Sequence, residues 1–402
     1  MKTIIFLECN ISGTGVRAIK IAQENGYRAV LFTKEYDFYH TIADNPLLHA
    51  DLVVELNTDC IATIINAAID YNPNGIVAFD DYRLINAAAA SHALGLPSPN
   101  MKSLILCRYK NKTRQILFDP NDDFKYRVFD IKDKIDISEM KFPLVVKPCD
   151  DSGSSKVTIC HSLEEVNIAV EEIIAFRTNQ RGYKLSSSYL IEEFIDGNEY
   201  SAEAYWCAAT SQWEILGFTK KHTTEGKYSV EIGHDFPYKF DSNSKIKKTI
   251  IDWLNKIGLS HTVAHVEFKL DKKSIMLIEI NPRVAGGMID KLCSISTGFD
   301  LVHCYLSLFV NDMEYRPKFI NKVQYASIRF LTSKRIGIID KIIPKFILNK
   351  PLLFKFVPTP IKIKQLKDSY SRLGYVITIE NLLIQAAAEA DEIIKNIEII
   401  YD

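Results

Sequence analysis

No apolar run in these 402 residues comes near the roughly 18 that a membrane span needs. No C-x-x-C pair occurs among the eight cysteines (Cys9, Cys60, Cys107, Cys149, Cys160, Cys207, Cys293 and Cys304). Their spacings suit neither a zinc site nor a secreted disulfide scaffold. They read as small buried hydrophobes in a reducing compartment, the cytoplasm. The opening MKTIIFLECN lacks a small-residue cleavage pattern and runs straight into a glycine turn, so it reads as a first strand and not as a signal peptide. Net charge is nearly absent, at -1 from 49 Lys+Arg and 50 Asp+Glu, and neither internal repeats nor low-complexity linkers occur. With 47% hydrophobic and 25% charged residues the composition is that of an ordinary globular protein, which excludes disorder as the dominant state.

The near-zero balance hides an uneven distribution. Tyr315 to Arg372 holds 14 Lys+Arg against Asp340 and Asp368, about +12, which leaves about -13 for the rest. Lys362 and Lys364 alternate with Ile361 and Ile363, as on a half-exposed strand. A solvated basic face is the favoured reading and a docking surface for an acidic partner the alternative. Nucleic acid is disfavoured, because no aromatic-interleaved or helix-turn-helix pattern accompanies the charge.

The first hundred residues alternate strands (Thr3–Leu7, Ala29–Thr33, Leu52–Leu56, Gly75–Phe79) with helices (Gly15–Asn25, Asp59–Tyr71, Asp81–Leu94). That pattern predicts a parallel, doubly wound sheet, with a break at Gly95–Pro99. A helix at Lys110–Phe118 leads into a strand-rich middle: Leu144–Lys147, Lys156–Cys160, Tyr189–Glu193, Tyr200–Cys207, Trp213–Thr219, Val263–Leu270 and Ile275–Ile280. Helices are expected at Ser162–Phe176, Asn243–Ile257 and Asp300–Phe309. Beyond Arg316 come Lys/Ile-rich strands, a strand at Tyr375–Ile379, a helix at Asn381–Asn396 and a last short strand.

Two motifs compete for the function. Gly13–Ala18 matches G-x-G-x-x-A between a strand and a helix, with Glu35 and Asp37 where a ribose-binding acid would sit. It predicts a dinucleotide-dependent oxidoreductase, or merely a tight turn. The second is a constellation. Lys147 ends an apolar strand and meets a flexible loop, Asp150–Lys156, whose Ser152, Gly153 and Ser154 suit a polyphosphate. Glu192, Glu193 and Ile195 then border a turn at Gly197, and Glu199 follows; backbone groups there suit an adenine edge and Glu199 the ribose hydroxyls. Finally Glu267 on one strand and Glu279 and Asn281 on the next share a face by the period of two. Two carboxylates and an amide among apolar residues are costly unless a hard cation such as Mg²⁺ joins them. Arg283 follows where a reacting oxyanion would be, and Gly286-Gly287 leaves room for close approach.

This set resembles the ATP-grasp superfamily, from about Lys110 to Phe309. The resemblance implies a mixed α/β and α+β ATP-grasp fold: a Rossmann-like pre-ATP-grasp domain over 1–97, an ATP-grasp domain over 98–314 with a lid subdomain at about 119–190, and a basic β-rich C-terminal domain over 315–402. It implies ATP and Mg²⁺ as cofactors, with Mn²⁺ as a substitute. Lys110, Lys147, Ser152, Gly153, Ser154, Glu192, Glu193, Ile195 and Glu199 would bind ATP; Glu267, Glu279 and Asn281 would hold the metal; Arg283 would stabilise the acyl phosphate. Within the superfamily, Val230–Pro237 is similar to the E-x-G-H-x-x-P element of L-amino-acid ligases. The likeness implies a carboxylate–amine ligase with an acyl-phosphate intermediate, releasing ADP and phosphate and taking small carboxylates and amines. Glu231 would pair with a substrate ammonium. His234 would orient the reacting groups or make a structural hydrogen bond in a loop. Carboxylase and purine-pathway members are less favoured, since their substrate-loop signatures are not visible. Loops Asp80–Arg83, Lys220–Lys227 and Gly286–Asp290 would shape the substrate pocket. A homodimer is expected from related ligases.

Overall fold

The computed structural model describes residues 2–42, 44–118, 124–226, 228–270, 275–322, 324–333, 335–345, 351–363 and 365–402. Lys364 and the expected start of the lid at 119 lie outside them. The N-terminal strands form a parallel sheet in the order Leu52–Glu55, Arg28–Thr33, Thr3–Leu7, Gly75–Val77. Thr3–Leu7 is buried along its whole length, and its β-branched and aromatic side chains suit a strand covered on both faces. The glycine motif has a structural cause. Gly13 takes a left-handed φ of 80° at the start of helix Thr14–Glu24, and a Cβ on Gly15 would stand 2.6 Å from Cys9 Sγ.

The expected lid is an antiparallel sheet ordered Tyr126–Asp130, Ser188–Glu193, Leu144–Pro148, Thr158–Cys160. Helix Leu163–Ala175 covers it, burying Val166, Val170 and Ile173 against Leu144, Val146 and Ile191.

The centre is an eight-stranded antiparallel sheet. Its order is Ile275–Asn281, Val263–Leu270, Asn198–Cys207, Gln212–Thr223, Glu231–Tyr238, Tyr325–Leu331, Gly374–Glu380, Leu353–Phe356. Helix Asn243–Ile257 packs Ile246, Ile250 and Leu254 on one face. Helices Ile289–Thr297 and Leu301–Phe309 join the other face to the N-terminal sheet through Leu292, Val302, Tyr305 and Phe309. No single helix among the described residues is long and apolar enough to cross a membrane.

Two expectations need correction. Three strands of the C-terminal stretch do not stand apart but complete the central sheet; a second sheet, Ile361–Ile363, Gly337–Pro344 and Ile397–Tyr401, is the part that separates. The segment around Glu231 and His234 is a strand and not a loop. Its glycine and proline disguise it, but ladders on both sides hold it extended.

Candidate active site at the junction of three sheets

The site begins at two adjacent strands of the central sheet, Val263–Leu270 and Ile275–Asn281. Their register sets Glu267 opposite Glu279 and His265 opposite Asn281. Asn281 Nδ2 donates to Glu279 Oε1 at 2.9 Å, and Lys110 Nζ lies 3.1 Å from Glu279 Oε2. Burial opposes the charge on Glu279, but Lys110 and Asn281 outweigh it and hold the carboxyl far below the usual range. Lys110 also donates to Asp151 O at 2.7 Å, while Lys112 is exposed. Glu267 Oε1 accepts from His265 Nε2 at 3.0 Å, and His265 Nδ1 bonds Glu203 at 2.9 Å. Glu203 is closed off by Ser201 and Thr219 hydroxyls at 2.7 and 3.1 Å. This chain fixes the Glu267 carboxylate from behind.

A lysine that sequence reading missed occupies the middle. Lys221 Nζ is fully buried and lies 2.6 Å from Glu231, 2.9 Å from Glu267 and 3.5 Å from Glu199. Burial works against its charge, yet the three acids hold its pKa well above normal. Glu199 is pushed up to about 7, by burial first, with Glu267 and Glu231 as neighbouring like charges. Glu231 is fastened on its other oxygen by Arg372 Nη2 at 3.0 Å.

His234, placed by the sequence beside reacting groups, lies behind the wall. It is completely buried, and among the described residues neither ring nitrogen has a hydrogen-bond partner. Its Nε2 is 3.6 Å from Glu231 and sits where a Cβ on Gly287 would be 2.8 Å away. The structural hydrogen bond expected of it is absent. Burial pushes its pKa down to about 3, so the ring is neutral.

The strand lysine, Lys147, is buried against Glu192, whose carboxylate also takes Arg114 Nε at 2.9 Å and Nη2 at 3.2 Å. Burial raises and the two cations lower the Glu192 pKa, to about 2 overall. Glu193 caps the backbone N–H groups of Lys125 and Lys141, and Ile195 O accepts Lys269 Nζ. Glu192 and Glu193 are engaged through their carboxylates and Ile195 through its carbonyl, and none of the three lines the cavities below. The Gly-Ser loop carries positive φ at Gly153, Ser154 and Lys156. It is anchored by Ser152 Oγ to Tyr82 at 2.9 Å.

Two cavities meet here. One, about 100 Å³, lies under the lid and is lined by Lys110, Lys147, Ser152–Ser155, Glu199 and Glu267 among others. The other, about 330 Å³, opens toward the N-terminal sheet and the C-terminal strands, with Asp81, Arg181, Arg283, Gly286, Phe330 and Arg372 in its walls. Ser152, Gly153, Ser154, Glu231, Glu267 and Glu279 belong to both. Arg283 is clamped by Asp81 through Nε at 2.7 Å and Nη2 at 2.5 Å, so its donors are fixed in direction. Asp81 falls within a loop the sequence marked as pocket wall. Lys221 falls within another such loop, Lys220–Lys227, whose first four residues are in fact strand, and Arg372 was marked only as part of the basic stretch.

The dinucleotide reading loses one of its two acids, Glu35, while Asp37 stays exposed. Glu35 is buried and bonded to Arg181 from the lid, with Arg83 3.6 Å away. Arg181 thereby fills part of the crevice at the carboxyl ends of the parallel strands, and the rest opens into the larger cavity beside Asn10, Ser12 and Asp80.

The metal expectation fits the donors. Glu267 and Glu279 face each other across the ladder, Glu279 is ionised, and Asn281 keeps its amide oxygen while donating through Nδ2. Oxygen donors of this kind suit a hard divalent cation that keeps positions for phosphate.

Residues 140–291 match the family model described as an ATP-grasp domain. An uncharacterized protein of Sinorhizobium fredii is 24% identical over 73% of this chain and 63% of its own length. Dapdiamide A synthase of Enterobacter agglomerans is 28% identical over 36% of this chain and 34% of its own. The matches therefore span less than two thirds of these relatives. Among solved structures, an L-amino acid ligase from Bacillus licheniformis covers 100% of this chain and 99% of its own, with a TM-score of 0.80 at 20% identity. Residues 140–291 thus match an ATP-grasp domain, and the chain as a whole has the fold of that ligase structure, the ATP-grasp fold.

Proposed function

We propose that the chain is an ATP-dependent carboxylate–amine ligase that joins amino acids through an acyl phosphate. The observation that carries this reading is the shared wall. Groups suited to a triphosphate and groups suited to a carboxylate line two cavities with six residues in common, so a γ-phosphate and an acid have a common meeting place. Lys110 and Lys147 would face the phosphates as fixed cations, and the loop at Ser152–Ser154 would cover them with backbone N–H groups. The acid's oxygen attacks the γ-phosphorus and ADP leaves. Arg283, held by Asp81, would steady the charge on the acyl phosphate and on the tetrahedral adduct formed by the amine. Mg²⁺, held by Glu267, Glu279 and Asn281, would supply charge neutralisation on the phosphates. The lid would exclude water from the acyl phosphate. The relatives' names, an amino acid ligase and a dapdiamide synthase, support this class. The free cysteines support a cytoplasmic setting.

The test is a phosphate-release screen of amino acids taken in pairs, with products read by mass spectrometry. ADP and phosphate should appear together with an amide only when acid and amine are both present. Stoichiometric AMP and pyrophosphate would overturn the proposal.

A further inference from the structure

We propose that Arg372 binds a carboxylate of the amine substrate that takes no part in the reaction, so that the site selects an amino acid over a plain amine. This rests on the ligase reading. Three arginines line the large cavity. Arg181 is held by Glu35, Asp80 and Cys9 O. Arg283 has all three nitrogens engaged, two by Asp81 and one by Val284 O. Arg372 differs. Its Nε donates to Glu231 O and its Nη2 to Glu231 Oε2, each at 3.0 Å, and among the described residues Nη1 has no protein acceptor. The guanidinium lies 4.0 Å from the Phe330 ring centroid, which fixes its plane, and 12% of the side chain stays open.

A planar guanidinium held on two nitrogens and open on the third is suited to a carboxylate oxygen. Ser369 and Tyr370, from the turn that carries Arg372, line the wall beside it and offer hydroxyls. In the reaction the amine nitrogen forms the bond to the acyl carbon and loses a proton, and the C–O bond to phosphate breaks. The carboxylate on Arg372 passes through unchanged and becomes the carboxyl end of the product.

The experiment offers each L-amino acid, and separately its carboxamide, as the amine, and reads ligation by ADP release and product mass. The carboxamide keeps the amine and lacks only the anion. Wild type should favour the amino acid by about tenfold to a hundredfold in kcat/KM, the range of one charge-assisted hydrogen bond. In Arg372→Gln that preference should collapse through KM, and Arg372→Lys should restore part of it. Equal use of acid and carboxamide by wild type, or a preference that survives in Arg372→Gln, overturns the inference. The wild-type comparison needs no variant to fold. Failure of every pair to give an amide overturns the ligase reading itself, and this inference with it.

Discussion

His234 makes the chain's stability depend on pH in a calculable way. Its imidazole is fully buried, unbonded at both nitrogens and titrates near 3. In the unfolded chain it titrates near the ordinary ~6.5. Below that value the unfolded state takes up a proton that the folded state refuses. The contribution is therefore complete above pH ~6.5 and is lost as pH falls toward 3. From pH 8 to pH 5 the loss is about 1.5 units at ~1.4 kcal/mol each, or ~2 kcal/mol. The perturbation is His234→Leu, which fills similar space and cannot titrate. Urea unfolding, followed by fluorescence of Trp206 and Trp213 on the same sheet, gives the stability at both pH values. Wild type should lose ~2 kcal/mol more than the variant between them. An equal loss in the two proteins would refute the reasoning, since it would mean that the folded imidazole accepts its proton as readily as the unfolded one.

Asp81→Asn should release Arg283 and lower kcat by about a hundredfold, the order seen when one oxyanion donor is lost, with a smaller change in the KM for ATP; steady-state kinetics checks the split. Glu192→Gln should destabilise the protein by about 3–5 kcal/mol, because Arg114 and Lys147 would remain buried without their acid; a denaturation midpoint within error of wild type would contradict it. The charge on Glu192 contributes above its ordinary pKa of ~4.5 and is lost only as pH falls toward 2, so mild acid should spare this cluster. Glu279→Gln should abolish the gain in ADP affinity that Mg²⁺ gives the wild type, and chelation with EDTA should bring the wild type to the variant's level in calorimetry.

Much of the site could be read along the chain because its parts are local. Glu279 and Asn281 share a face by the strand period alone, and the strand Val263–Leu270 was delimited correctly by its apolar run. The rest depends on pairings between distant residues. Asp81 meets Arg283 across 202 positions, and Arg372 meets Glu231 across 141. No periodicity encodes such contacts. Lys221 was hidden for a different reason: the sequence ended its strand at Thr219 and put it in a pocket loop, and only the convergence of Glu199, Glu231 and Glu267 makes its burial tolerable. The basic C-terminal stretch was judged by its total charge, whereas among the described residues the cation from it that lines the cavity is Arg372.

The strand bearing Glu231 is hydrogen-bonded on its far side to Tyr325–Leu331. Cutting the chain before that partner would bare a row of unpaired amides and carbonyls in the middle of what is now a closed ladder. A catalytic core trimmed at residue 314 should therefore aggregate. A fragment meant to isolate residues 98–314 needs the last ninety or so residues as well, because they supply the other half of the same ladder.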